Sequence, residues 1–544
     1  MIIPMGDLPA HNAARLGGNR LALQHDQESV SWGELEARAT RRAWALRDAT
    51  ERRLGPLPNL RWPTKSLYGL GALGSAVKSQ LAGLVLLFYN QLVGLDASSV
   101  GLAMLVALLA DAFWDPVVGQ LSDNTRGRLG RRHPYIYAAA VPSLLFFVAI
   151  FAPPHGWGRP ALLLYFLFVT LGSRLCDSLI EVPSAALLPE LSHDYDERTS
   201  LSSWRYVYRG VIGPALAAFL AFGLFLRGTP AQPYGQLNPA GYAPYAWTVA
   251  TITLVAVLAS ALATQRFVPH MYRPERRAPD LRAMLGEIAI AVSNRNFAAI
   301  AGFALLIGVV TGVAGGLASY MSTFFWELPS SALLQLGLAA IPAALVGVIA
   351  ASPVARRLDK KRASLITMLL SVICSLAPIG FRLLGMMPPN SSPWVLRILI
   401  AAMFLSTLLF TIGAVIISSM IADVVEEVEV KTQRRSEGVL YAADTLLLKL
   451  TTSFSVAIPG VLLDYVGFPK GAKPGHVSTA VLNHLALIYL PLIAGLCLAA
   501  ISMLLFYQID RGRHAQNLSR VAQARTLAEE ETDPEPEPVS APAE

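Results

Sequence analysis

Residues 100–134 read VGLAMLVALLADAFWDPVVGQLSDNTRGRLGRRHP. The part up to Leu121 is apolar apart from two aspartates, and it is long enough to cross a bilayer, whose hydrocarbon core takes about 20 helical residues. Asp111 and Asp115 therefore belong to a spanning helix. A charged residue at such depth costs about 2.5–3.5 kcal/mol even on lenient insertion scales, so it belongs beside a polar cavity or an ion path. Spaced i, i+4, the two carboxylates share one helix face. The tight turn and arginine cluster that follow at once are what a membrane surface requires.

The rest of the chain is of the same kind. Of its 544 residues 54% are hydrophobic and only 15% charged, with a mean hydropathy of +0.47, which excludes an ordinary soluble protein and indicates a polytopic membrane protein. The three cysteines, Cys176, Cys374 and Cys497, are widely spaced within apolar runs and form no metal or disulfide pattern. The net charge of +7 does not point to nucleic acid, because the bases cluster between apolar runs and no basic stripe is interleaved with aromatics.

Apolar runs predict twelve spans, at 66–92, 98–121, 135–153, 161–184, 202–226, 246–266, 298–325, 332–354, 364–385, 395–421, 438–463 and 480–507. The connections GRLGRRH (127–133), RPERRAPDLR (273–282) and RRLDKKR (356–362) are strongly basic, and the loops between them are not. The positive-inside rule then places both termini in the cytoplasm. Six spans on either side of a basic linker at 267–297 suit a transporter whose halves rock about a central site. A faint internal echo supports two related halves, since DAFWDPVVGQLSDNTRGRLGRR (111–132) is answered by VGVIAASPVARRLDKKR (346–362).

The ends stand apart. AEEETDPEPEPVSAPAE (528–544) is acidic and proline-rich, and 508–544 is expected to be a disordered tail. Residues 1–62 are soluble in character and lack the regions of a signal peptide. Within them, residues 12–48, NAARLGGNRLALQHDQESVSWGELEARATRRAWALRD, resemble the opening hairpin and amphipathic helix of AMP-dependent synthetases and ligases. None of that family's later catalytic segments follows, so the stretch implies a fusion remnant, a misassigned start or a small docking element.

Four blocks carry a second and wider resemblance: ADAFWDPVVGQLSDNTRGRLGRRHP (110–134), IEVPSAALLPELSHDYDERTSLSSWRYV (180–207), MIADVVEEVEVKTQRRSEG (420–438) and YAADTLLLKLTTSF (441–454). They resemble the glycoside-pentoside-hexuronide:cation symporters, the melibiose-permease-like branch of the major facilitator superfamily. The resemblance implies an all-α integral membrane fold of twelve transmembrane helices in two six-helix bundles (63–266 and 298–507). It also implies symport of a sugar or glycoside with Na+ or H+, no enzymatic activity, no resident cofactor or metal, and a monomer in a bacterial inner membrane.

Asp111 and Asp115 match the family's paired cation-binding aspartates. The fourth span places Arg174, Asp177 and Glu181 on one face, at i, i+3 and i+7. Glu181 matches an acid used in substrate and cation binding. Asp177 stands where a hydroxyl is expected beside the cation, and an extra carboxylate there favours proton coupling; alternatively Arg174 neutralises it. Arg205 matches an arginine near the substrate pocket, with a helix-end role as its alternative. Lys449 matches a lysine that pairs with the acids when the cation is absent, and Asp444 is a second partner for it. Arg126, Arg131, Arg132, Asp194, Glu197 and Arg198, at the cytoplasmic ends of helices, form a candidate gate network.

The pattern also departs from the sugar-transporting members. Ser75 replaces an acid on the first helix, Lys78 adds an intramembrane charge, and Ala185 replaces an aromatic that stacks on the sugar. Lys78 and Arg205 thus suit a headgroup, as in animal relatives that carry lysophospholipids, and with Ser75 and Ala185 they make an anionic amphiphile an alternative substrate. A membrane-anchored acyl-activating enzyme and a receptor without flux are the readings from other classes.

Overall fold

The computed structural model describes residues 21–25, 28–31, 60–80, 82–192, 194–229, 232–270, 295–432, 451 and 453–508. Near the N-terminus, Leu21–His25 (β1) and Glu28–Ser31 (β2) pair as an antiparallel hairpin. The expected helix after it lies outside the described residues, as does the acidic tail.

Eleven helices among the described residues are long and apolar enough to cross a membrane. In chain order they include α1 (Trp62–Leu92), α2 (Ala97–Asn124), α3 (His133–Ile150), α4 (Arg159–Leu191), α5 (Glu197–Phe225) and α6 (Pro239–Gln265). The second half brings α7 (Arg295–Phe325), α8 (Ser330–Leu358), α9 (Lys360–Leu383), α10 (Pro393–Thr432), a shorter apolar helix α11 (Ser453–Tyr465), and α12 (Thr479–Phe506). Each coincides with an expected span, except that the first part of the span at 438–463 lies outside the described residues. A helix satisfies every backbone group within its own segment, which is why long apolar runs in lipid fold this way.

Prolines interrupt several spans. Pro116 follows Asp115 directly and Pro183 lies two residues past Glu181. Each removes one hydrogen bond of the helical ladder, and the carbonyl that Pro116 frees, that of Ala112, is next to Asp111.

The core is divided in an informative way. One cluster of buried side chains draws on both halves, joining Tyr89, Val100, Phe166 and Tyr245 to Leu317, Tyr320, Phe324 and Leu463. At the opposite end there are two clusters instead. One, with Tyr68, Ile136, Ile180 and Phe267, belongs wholly to the first half, and the other, with Phe297, Met368, Ile416 and Tyr507, wholly to the second. The halves are therefore packed together at one end and have separate cores at the end that carries the basic loops 127–133 and 356–362.

Small residues allow the close approach at the joined end, as expected where helices pack without a hydrophobic drive. A side chain at Gly460 of α11 would meet the Ala97 carbonyl oxygen of α2 at 2.1 Å, and one at Gly83 of α1 would meet the Gly315 carbonyl oxygen of α7 at 2.5 Å. Polar contacts tie the same end. Tyr320 Oη donates to Asn90 Oδ1 (2.7 Å), Gln91 Oε1 accepts from the Ala472 amide (2.9 Å), and the Ser98 amide donates to Asp464 Oδ2 (2.8 Å). Asp96 pairs with Lys470, which holds the Asp96 carboxyl below the usual carboxylate range. Buried Gln236, between α5 and α6, donates to Thr323 Oγ1 (3.1 Å) and accepts from Ser330 Oγ (2.7 Å) across the halves.

Candidate cation and substrate site

Each acid of α4 holds a base. Asp177 Oδ1 accepts from Lys78 Nζ of α1 at 2.6 Å, and the same ammonium donates to Ser143 Oγ of α3 at 2.8 Å. The side chains of Lys78 and Asp177 are 10% and 22% exposed. The Phe147 ring lies under the ammonium, 5.4 Å away. The partner of Asp177 is thus Lys78 from another helix, not Arg174 one turn earlier on its own.

Glu181, one turn further along α4, gathers a second group. Its Oε1 accepts from Arg205 Nη2 (2.9 Å) and Arg209 Nη1 (3.0 Å), and its Oε2 from Ser75 Oγ (3.2 Å). Arg205 also donates to Ser184 Oγ (3.0 Å) and lies over the Tyr68 ring at 5.3 Å. It is held from three sides within the bundle, unlike an arginine snorkelling to the interface. Arg209, one turn beyond it, is 60% exposed.

Asp111 of α2 meets α4 through a hydroxyl. Ser178 Oγ donates to Asp111 Oδ1 at 2.9 Å. Successive residues on a helix point roughly 100° apart, so Ser178 turns to α2 while Asp177 turns to α1 and α3. Sequence reasoning groups Asp177 with Asp111 and Asp115 and looks for a hydroxyl at its position. The hydroxyl is there, one residue on. Lys449 and Asp444 lie outside the described residues.

The charged loops form a clamp within each half. Glu190, buried at the end of α4, accepts from Arg131 Nη2 (2.7 Å) and Arg132 Nε (3.0 Å), and Arg132 also reaches Asp123 (2.5 Å) and Ser122 Oγ (2.7 Å). Asp194 Oδ1 caps the start of α5 by accepting from the Glu197 amide (2.8 Å). Glu197 pairs with Lys65 (3.3 Å) and Arg198 donates to the Ser192 carbonyl (2.7 Å). Arg126 is exposed. In the second half Lys360 Nζ donates to both oxygens of buried Asp423 (2.7 and 2.8 Å), to which Tyr507 Oη also donates (3.2 Å). The echo between 111–132 and 346–362 thus has a physical counterpart, a basic residue after the second span of each half bound to an acid near the end of the fourth.

Of the residues the site uses, Ser143, Ser178, Arg209, Tyr68 and Glu190 escape the sequence reading. Arg209 had a signal, its i+4 spacing from Arg205. Glu190 sits in a quoted block but reads there as a loop charge.

Comparison with known proteins agrees with this architecture. The family of MFS/sugar transport proteins matches residues 67–511. An uncharacterized symporter of Synechocystis sp. is 25% identical, over 86% of this chain and 97% of its own length. An isoprimeverose transporter of Lactiplantibacillus pentosus is 24% identical, over 83% and 89%. Among solved structures, a D-xylose-proton symporter has a TM-score of 0.54 at 16% identity, covering 81% of this chain and 96% of its own. The nucleoside transporter NupG gives 0.54 at 14%, covering 81% and 99%. At such identities the solved structures speak for the fold, which is that of the major facilitator superfamily. The chain belongs to the MFS/sugar transport protein family. It is a multi-pass membrane transporter and not an enzyme, which sets aside the acyl-activating alternative.

Proposed function

We propose that this member of the MFS/sugar transport protein family is a cation-coupled symporter of a sugar- or glycoside-type solute that works by alternating access. The observation that carries the reading is the Asp111–Asp115 pair on one face of α2 with the Ser178 hydroxyl of α4 on Asp111, a set of hard oxygens within membrane-spanning helices. Hard oxygens whose charge is cancelled on occupancy suit either Na+ or a proton. The names of the relatives, symporters and an isoprimeverose transporter, support the solute class.

In this reading Glu181, Arg205 and Ser75 face the solute, Lys449 pairs with the acids when the cation has left, and the chain divides into 1–62, 63–266, 267–297, 298–507 and 508–544. The basic loops lie in the cytoplasm of a bacterial cell with both termini. The conformation, joined at one end and with separate cores at the basic end, is then closed to the outside. Arg131 and Arg132 with Glu190, and Lys360 with Asp423, keep each half rigid as it rocks, and the neighbouring loop charges close the cytoplasmic end in the opposite state.

One observation favours a second reading. Arg205 and Arg209 converge on a single oxygen of Glu181, which leaves an excess of positive charge suited to a carboxylate or phosphate, as on an anionic amphiphile. Both readings are tested by uptake into proteoliposomes of labelled neutral glycosides, a uronide and a lysophospholipid, each under an imposed sodium or proton gradient. Accumulation of a glycoside supports the first reading and accumulation of the lysolipid alone the second. No accumulation of any solute under either gradient rejects both.

A further inference from the structure

Three helices build the surroundings of Lys78. Its ammonium is 2.6 Å from a carboxylate oxygen on α4 and 2.8 Å from the hydroxyl of buried Ser143 on α3, with the Phe147 ring 5.4 Å away. A carboxylate, a hydroxyl and an aromatic face are what a monovalent cation stripped of water would need, and the ammonium supplies the same charge at hydrogen-bond distance. The transported cation has a separate candidate seat, because α4 turns Ser178, not Asp177, to Asp111.

We propose that Lys78 is a tethered, resident cation: it occupies Asp177 with a fixed charge, so that a free cation is excluded there and only the Asp111–Asp115 seat loads and unloads. The inference deepens the cation-coupled reading and rests on it. Asp177 then belongs to the positioning of α1, α3 and α4 and not to the ion path, and the cycle carries one cation. Removing the ammonium leaves a half-buried carboxylate without its partner, which attracts whatever small cation can reach it.

Thermal unfolding of the full purified chain tests this without knowledge of the solute. Midpoints are compared in choline chloride and in sodium, lithium or ammonium chloride at equal ionic strength. The Lys78→Ala chain is expected to gain a stabilisation absent from the wild type, rising with the logarithm of cation concentration as for any ligand of the folded state. The Lys78→Ala/Asp177→Asn chain is expected to lack that gain. A Lys78→Ala response equal to the wild type's overturns the proposal, and so does a gain that survives in the double variant. If Lys78→Ala folds only when one of these cations is present, the proposal stands. If it folds in no salt while the double variant folds, no free cation can replace the ammonium and the proposal falls.

Asp177→Asn supplies a second arm, in uptake. It is expected to keep the wild-type dependence on the driving cation, and loss of that dependence contradicts a resident counterion. Should Asp115→Asn also leave coupling intact, the Asp111–Asp115 seat is at fault, and a wild type whose uptake depends on neither cation gradient removes the cation-coupled reading itself. Failure confined to Asp177 and Lys78 removes only the tethered cation.

Discussion

Gly460→Ala is the substitution whose effect follows most directly from the joined end. The added Cβ would stand 2.1 Å from the Ala97 carbonyl oxygen and 2.7 Å from its carbon. Backbone cannot swing aside as a side chain can, so α2 and α11 must part by roughly 1 Å to restore ordinary contact distances. Overpacking of this kind costs about 1–3 kcal/mol. It is felt only while the halves are joined, so the joined conformation loses population against its alternative by about 5–150-fold. Spin labels on Ser99→Cys and Lys473→Cys, in a chain with Cys374→Ser, report the separation across this end. The expected result is a longer distance population in Gly460→Ala and none in Gly495→Ala, where the added Cβ meets nothing within 4 Å. An unchanged distribution in Gly460→Ala would refute the idea that backbone contact at Ala97 holds the halves together.

Other perturbations test the remaining elements. Glu190→Ala leaves Arg131 and Arg132 without their shared carboxylate, and a loss of about 3–5 kcal/mol is expected from removing one partner of a buried pair. It would be read as a lower thermal midpoint, with Glu190→Gln milder; equal midpoints for Glu190→Ala and wild type would contradict the clamp. Ser178→Ala removes the hydroxyl bond to Asp111, a bond to a charged group worth about 1.5–3 kcal/mol, and is expected to change the apparent cation affinity by about tenfold or more. A titration of uptake against the driving cation that overlays wild type would refute this. The Asp96–Lys470 pair is exposed and so worth about 0–1 kcal/mol. Because Lys470 holds the Asp96 carboxyl below its usual range, the pair contributes above the ordinary carboxylate pKa and is lost as the pH falls through the lowered value. Acid on that side is expected to loosen the joined end slightly in wild type and not in Asp96→Asn, by the same distance measurement.

The spans were legible in the sequence because a bilayer imposes one simple rule, a run of apolar residues long enough to cross. The acids within them were legible for the same reason, since Asp111, Asp115, Asp177 and Glu181 are conspicuous against an apolar background. What the sequence did not reveal is which base answers which acid. Lys78 and Asp177 are 99 positions apart, and nothing local ties them together. Arg174, on the same helix face, is the natural candidate until α1 is seen to pass closer. The joined end was equally hidden: Asn90, Tyr320, Gln236 and Ser330 are unremarkable in sequence, and their pairing depends on how two bundles meet. Direction along a helix also matters, for Ser178 and Asp177 are neighbours in the chain yet serve different helices.

Asp115 and Asp111 are the proposed seat of the driving cation. The most direct measurement is the accumulation ratio of a transported solute in proteoliposomes under its driving gradient, for wild type and Asp115→Asn side by side. Wild type is expected to concentrate the solute above the outside level, while the variant at most lets it equilibrate. A variant that concentrates the solute as wild type does would contradict that assignment.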